Sequence, residues 1–364
     1  MNHHSSFRAY PTIRGRVRRL SAGLIATVAL VAGMAGMGAA AAAADTVIDT
    51  VPVGTNPNGV AITPDGSRAY VANRVDNTVS VIDTATNMVV GAPIPVGLLP
   101  VGVAVTTPDG SFAYVTNSGG ASVSVINTGT NMVDATVTVG NAPFGVAVTP
   151  DGSRAYVTNA GANTVSVINT GTNMVDATVT VGNAPSRVAV TPDGSFAYVT
   201  NAGANTVSVI DTGTNMVDAT VMVGTFPSGV AITPDGSRAY VANFNDGTVS
   251  VIDTVTNMVA ETVMVGTFPV GVAVAPDGSR AYVTNSGGAS VSVIDTATNT
   301  VAETVTVGAN PIGVAITPDG SRAYVTNNGA GTVSVIGIDQ CTGSLCFDFG
   351  SLTGSGSGAG SVFS

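Results

Sequence analysis

The chain has 364 residues, of which 9% are charged and 45% hydrophobic, with 45 glycines, no tryptophan and a formal net charge of -10. A composition dominated by Gly, Val, Thr, Ala and Asn suits short strands joined by tight turns and weighs against helices. The acidic balance, without a basic patch, weighs against nucleic acid as a partner.

The first element along the chain is a targeting segment over residues 1–44. Arg8, Arg14, Arg16, Arg18 and Arg19 precede an apolar run from Leu20 to Met37, and Ala39 to Ala44 then offer several A-x-A cleavage options. That order is the layout of a secretory signal peptide, so export and cleavage near Ala44 are expected, leaving no membrane span. An uncleaved anchor is the alternative, since the apolar run approaches the ~20 residues a bilayer needs, but it is rich in Gly and Ala and poor in Leu. Arg18-Arg19 is compatible with a twin-arginine signal or with an ordinary basic start. All 22 acids follow residue 44, so the mature chain carries 7 arginines against 22 acids, a net charge of -15. The expected destination is extracellular, periplasmic or the cell envelope.

Residues 45–338 are a repeat. Pro-Asp-Gly recurs seven times, with Asp65, Asp109, Asp151, Asp193, Asp235, Asp277 and Asp319 spaced by 44 residues once and by 42 thereafter. Each unit reads "GVAVTP", "PDGS", "AYVTN", a Gly/Asn turn, "TVSVID", "TxTN" and "MVDATVTVG", which is four strands, a to d, in order. Pro fixes φ before the bend, Asp bonds its own backbone, and Gly takes the positive φ that closes the a-b hairpin. A four-stranded sheet with apolar residues on both faces buries neither alone. Radial stacking of seven such sheets predicts an all-β, seven-bladed β-propeller with four antiparallel strands per blade. The recurring tyrosines, Tyr70 to Tyr324, are expected between blades.

Ring closure is legible by counting strands. The segment from Gly337 onward lacks strand d, while Val47 to Gly54, before the first "GVAIT", aligns with the other d strands; the N-terminal strand should complete the last blade. Strand d also has to protect its outer edge. Asp134, Asp176, Asp218, Glu261, Glu303 and Asp49 place an acid in six of seven such strands, and Pro93 and Pro95 interrupt the remaining one. Residues 339–364 fall outside the repeat. Cys341 and Cys346, with four residues between them in a Gly/Ser-rich segment of an exported chain, suit a local disulfide, and the tail is expected to be disordered.

"AYVTN" or "AYVAN" in all seven repeats, each preceded by "TPDGS" or a close variant, resembles the YVTN-family β-propellers over residues 46–338. That resemblance implies kinship with YncE-like secreted proteins, archaeal surface-layer proteins and the propeller domains of nitrous oxide reductase and cytochrome cd1. It supports the fold. The redox relatives rely on metal or haem ligands, including histidines, that have no counterpart in these repeats.

Beyond residue 44 the chain contains no His, Lys or Trp. Ser-His-Asp and Cys-His nucleophilic sites, His-ligated metals or haem and lysine Schiff bases each lack a required part, so neither cofactor nor metal is expected. Carboxylate-only catalysis is left, but the aspartates recur at turns, where backbone bonding accounts for them. Comparison among repeats is more informative. The "PxG" glycine of six repeats (Gly59, Gly102, Gly145, Gly229, Gly271, Gly313) becomes Arg187 in the fourth, and nearby loops carry Phe144, Phe226, Phe244, Asp246 and Phe268. Across the ring lie Arg74, Asp76, Leu98 and Leu99. An aromatic and arginine-bearing rim suits contact with a protein or polysaccharide of the envelope. The expectation is a non-catalytic binding or scaffold module. A surface-layer-like structural component and a carboxylate-based, lactonase-like hydrolase at the channel mouth are the alternatives.

Overall fold

A computed structural model describes residues 44–339 of the chain. The leader and the tail with Cys341 and Cys346 lie outside the described residues, as does any pairing of those cysteines.

The described residues form seven antiparallel sheets whose innermost strands adjoin in a closed ring, blade 7 (strand a Pro311–Ile316) returning to blade 1 (strand a Pro57–Ile62). Blade 7 is completed by the N-terminal strand Thr46–Pro52, which pairs with strand c (Thr332–Gly337). The propeller and its closure thus match the sequence reading.

All seven a strands open on proline, at the one strand position where a missing donor costs least. The seven tyrosines are 0–1% exposed, each packed with Val and Ile of the facing blade. Burial of a side chain of that size contributes on the order of 1.5–3 kcal/mol. Each hydroxyl also finds a partner in the next blade, as when Tyr114 Oη donates to Asn173 Oδ1 at 2.7 Å and Tyr240 Oη to Asn299 Oδ1 at 2.7 Å.

The acids of strand d coincide with irregular pairing. Asp134, Asp176 and Asp218 are the extra residues of β-bulges against strand c, while Asp49, Glu261 and Glu303 directly follow the bulged residue. In blade 1 the strand splits into Met88–Val89 and Ile94–Pro95, with Pro93 in the gap. A bulge and a charge together twist and solvate an edge that would otherwise accept a foreign strand. The Pro-Asp-Gly turns are self-contained: Asp151 accepts from Thr149 Oγ1 at 2.5 Å and from the amide of Ser153 at 3.0 Å. Among the described residues no three His, Cys, Asp or Glu side chains come together as a metal site.

Candidate functional site

Two places depart from seven-fold regularity, and the geometry of strand a explains the first. Its pairing with strand b shifts by one, so Asn58 and Gly59 together oppose Ala72, and the same bulge recurs in every blade. A bulge re-aims side chains, and here the second bulged residue turns toward the channel. Neighbouring bulges crowd one another: a Cβ on Gly59 would sit 2.4 Å from the carbonyl oxygen of Val101, and on Gly229 2.3 Å from that of Val270. Threonine of "YVTN" ties the ring together. The amide of Gly102 donates to Thr116 Oγ1 at 2.8 Å, and that hydroxyl donates to the carbonyl of Phe144 in the next blade at 2.7 Å.

Arg187 occupies this glycine position in blade 4 (strand a Pro185–Val190). Its amide is 3.0 Å from Thr200 Oγ1, so the tie survives the substitution. Its side chain crosses the channel, where Nη2 donates to Asn58 Oδ1 of blade 1 at 3.1 Å and the guanidinium lies 4.6 Å from the centre of the Phe144 ring. The channel is a cavity of about 140 Å³ lined by glycine and aliphatic residues, with Arg187 the only charged side chain among them. Burial pushes the guanidinium pKa down to about 10, the direction expected of a cation removed from water without a counter-charge. Stacking on Phe144 offsets part of that cost.

The second departure lies on the loops that join strand d to the next strand a. One residue there adopts positive φ in each blade: Asn56, Leu99, Ala142, Ala184, Phe226, Phe268 and Asn310, with φ between 50° and 56°. Asn is at ease in that conformation, whereas a bulky side chain there costs roughly 1–2 kcal/mol. Phe226 and Phe268 are held nonetheless. The amide of Phe226 donates to Asn205 Oδ1 at 2.9 Å, and the amide of its neighbour Thr225 to Asp246 Oδ2 at 2.6 Å. The carbonyl of Phe268 accepts from both the amide and the hydroxyl of Ser286 at 3.0 Å. Phe244 stands between them, its ring centroid 5.8 Å from that of Phe226 and 4.9 Å from that of Phe268, the latter pair stacked at 17°. Phe226 and Phe268 are 46% and 44% exposed and face solvent on either side of the half-buried Phe244.

The structure therefore divides the rim expected from sequence. Phe226, Phe244, Phe268 and Asp246 form one patch over blades 4 to 6, with Asp246 fastening the loop that carries Phe226. Arg187 and Phe144 belong to the channel, because the bulge points position 187 inward and away from the loop surface. Leu98 and Leu99 are exposed at the junction of blades 1 and 2. Three participants escaped the sequence reading. Asn58 was legible as the carboxamide among the seven "x" residues of "PxG". Met222 and Met264, 70% and 77% exposed, end the d strands that lead into Phe226 and Phe268, and "VMVGTFP" in place of "VTVGNAP" or "VTVGANP" was their signal.

The fold and these two departures define a class: a seven-bladed β-propeller with a glycine-lined channel plugged by one arginine and an apolar sector on one loop face. The family model described as "Lactonase, 7-bladed beta-propeller" matches residues 103–265, under half of the chain. Among solved structures, Kuenenia stuttgartiensis hydrazine synthase is similar at 25% sequence identity and a TM-score of 0.72, over 78% of this chain and 96% of that one. No curated protein matches.

Proposed function

We propose that this is an exported, non-catalytic propeller of the YVTN type that binds a protein partner through the patch formed by Phe226, Phe244, Phe268, Met222 and Met264. The observation that carries the reading is the pair of phenylalanines kept exposed at a positive-φ loop position that other blades, with the same kinds of hydrogen bond, fill with Asn, Ala or Leu. A strained bulky residue that leaves nearly half its surface in water is a cost to folding, and such residues concentrate where function uses them. Aromatic rings and methionines are the side chains enriched at protein interfaces, and methionine adapts its shape to varied apolar surfaces. A sector that combines three adjoining aromatic rings with exposed methionines fits a partner's apolar segment better than a hydrated polysaccharide.

The match to the lactonase model supports the propeller. A hydrolase at the channel mouth would need a carboxylate there to act as acid or base, and the described residues lining this channel supply glycine, aliphatic side chains and Arg187. The similarity to hydrazine synthase likewise bears on fold.

The test is affinity capture from envelope and culture extracts with wild type, Phe226→Ala/Phe268→Ala and Arg187→Gly, followed by calorimetry with the captured protein purified. The expected result is one protein partner bound with a negative heat-capacity change. The double variant should weaken binding about 100-fold, on the scale of two central aromatic contacts, and Arg187→Gly should leave it unchanged. Retention on polysaccharide through the same rings, ordered self-assembly without a partner, or a partner indifferent to the double variant would each overturn the proposal.

A further inference from the structure

The hydroxyl partner of each interblade tyrosine is an asparagine just before strand d: Asn87, Asn131, Asn173, Asn215, Asn257 or Asn299 in six blades. In blade 7 that place belongs to Asp45. Its side chain is fully buried, Oδ2 accepting from Tyr282 Oη at 2.6 Å and Oδ1 from Arg280 Nη1 at 3.0 Å and from the amide of Asp339 at 2.8 Å. Its own backbone nitrogen donates to Glu303 Oε2 in strand d of blade 6 at 3.1 Å, and Glu303 Oε1 lies 3.8 Å from Arg280 Nη1. Asp45 and Glu303 thus share a single guanidinium. Burial and the charge of Asp45 push the Glu303 carboxyl above its usual range, which marks a shortage of positive charge at this nitrogen.

The residue before Asp45 is exposed, and it is the last alanine of Ala39–Ala44. We propose that the working protein begins at Asp45, and that its free α-ammonium, ion-paired with Glu303, joins the side chains of Asp45, Arg280 and Glu303 as the fourth charged group of the latch that closes the ring. Hydrolysis of the Ala44–Asp45 bond breaks one amide C–N bond. Water gives its hydroxyl to the Ala44 carbonyl carbon and a hydrogen to the Asp45 nitrogen, which also takes up the proton released by the new carboxyl group. A neutral donor facing Glu303 becomes a cation, and charge-assisted hydrogen bonds are shorter and about twice as strong as neutral ones. Position is decisive. Cleavage one residue earlier puts the ammonium on exposed Ala44, up to ~3.6 Å further along the chain, where an ion pair is worth little. Cleavage one residue later removes Asp45 altogether.

The inference rests on the export reading above, and its test separates the two. The full chain is expressed with its leader in an exporting host and the recovered protein weighed by intact mass spectrometry; the expected N-terminus is Asp45. A leader retained on protein confined to the cytoplasm would sink both readings, whereas an exported chain starting anywhere else, an uncleaved anchor included, sinks the latch alone. Chains beginning at Asp45, at Nα-acetyl-Asp45 and at Ala44 are then compared by thermal unfolding. The free Asp45 chain should melt roughly 2–4 °C above the other two, the shift that a single partly buried ion pair gives in a domain of this size. In a Glu303→Gln background the three should melt together. Equal melting in the wild-type background, or a gap that survives Glu303→Gln, would refute the ion pair.

Discussion

Starting the chain at Thr55 removes the strand that completes blade 7, and the cost follows from the side chains this strand buries and covers. Val51 is 3% exposed and stands opposite Val333, while Asp49 stands opposite Val335, both valines being fully buried. Losing the buried Val51 side chain costs about 1.5–3 kcal/mol, and partial exposure of Val333 and Val335 adds about 1–2 kcal/mol. The ladder hydrogen bonds that go with the strand are offset, within a few kcal/mol, by the backbone entropy that the missing strand no longer surrenders. A loss on the order of 4 kcal/mol is a large share of the 5–15 kcal/mol of a typical domain. It corresponds to a fall in Tm of about 10 °C. Circular dichroism melts of the two chains measure it, and a synthetic peptide of residues 45–54 added in trans should restore most of the lost stability while a scrambled peptide does not. A Tm unchanged within about 2 °C, or equal rescue by the scrambled peptide, would refute closure by this strand.

Other expectations follow from the ring, the tyrosines and the turns. Gly229→Ala places a Cβ 2.3 Å from a backbone oxygen and should destabilise by about 1–3 kcal/mol, whereas Arg187→Gly restores the common residue and removes a desolvated cation, so its urea midpoint should equal or exceed that of wild type at unchanged slope. Burial pushes Tyr114 and Tyr198 up to about 12. Because the folded value is raised, the stability they confer is complete below the ordinary tyrosine pKa of about 10 and is lost as pH rises through the folded value. Phenolate absorbance should therefore rise cooperatively with alkaline unfolding; early, non-cooperative ionisation would contradict their interblade position. At the acid end, the hydroxyl of Thr149, then the amide and hydroxyl of Ser153, hold the Asp151 carboxyl below its usual range. A lowered folded value confers stability above the unfolded pKa that disappears as pH falls through the folded one. Thr149→Val should raise the Asp151 midpoint followed by carboxyl NMR.

The fold was legible because every level of the sequence agrees: turn residues at fixed offsets, period-two apolar runs, a tyrosine per blade and one strand missing at one end but present at the other. The aromatic patch was legible in part, since Phe226 and Phe268 replace Asn, Ala or Leu at matching loop positions. Met222 and Met264 were hidden by their place inside a strand, where a Thr-to-Met change resembles ordinary variation of an outer edge. Arg187 was visible as an exception but not its direction, because a β-bulge sets two residues against one and reverses which of them points inward. Asp45 was obscured for a different reason. It looks like the first residue after a leader, and only pairing of strand Thr46–Pro52 with blade 7 brings it against residues more than two hundred positions away.

The repeats themselves offer an internal control on the proposed site. Residues 141–182 and 183–224 differ at five positions: Phe144 against Ser186, Gly145 against Arg187, Arg154 against Phe196, Asn169 against Asp211 and Thr180 against Met222. Two of the five, at Arg154/Phe196 and Asn169/Asp211, sit where strands b and c meet at the Pro-Asp-Gly end, and change how a turn is held. The other three fall at the opposite end, in the channel bulge and beside the aromatic sector. Drift acting evenly along a 42-residue unit has no reason to place an arginine at the one bulge position where backbone crowding favours glycine, or a methionine at the strand end leading to a strained phenylalanine. The cost of the arginine to folding is specific and local. Such costs persist where something other than stability retains them. A chain in which Arg187 and Met222 are reverted to Gly and Thr should therefore fold at least as well as wild type, and the Met222 reversion alone should weaken the partner.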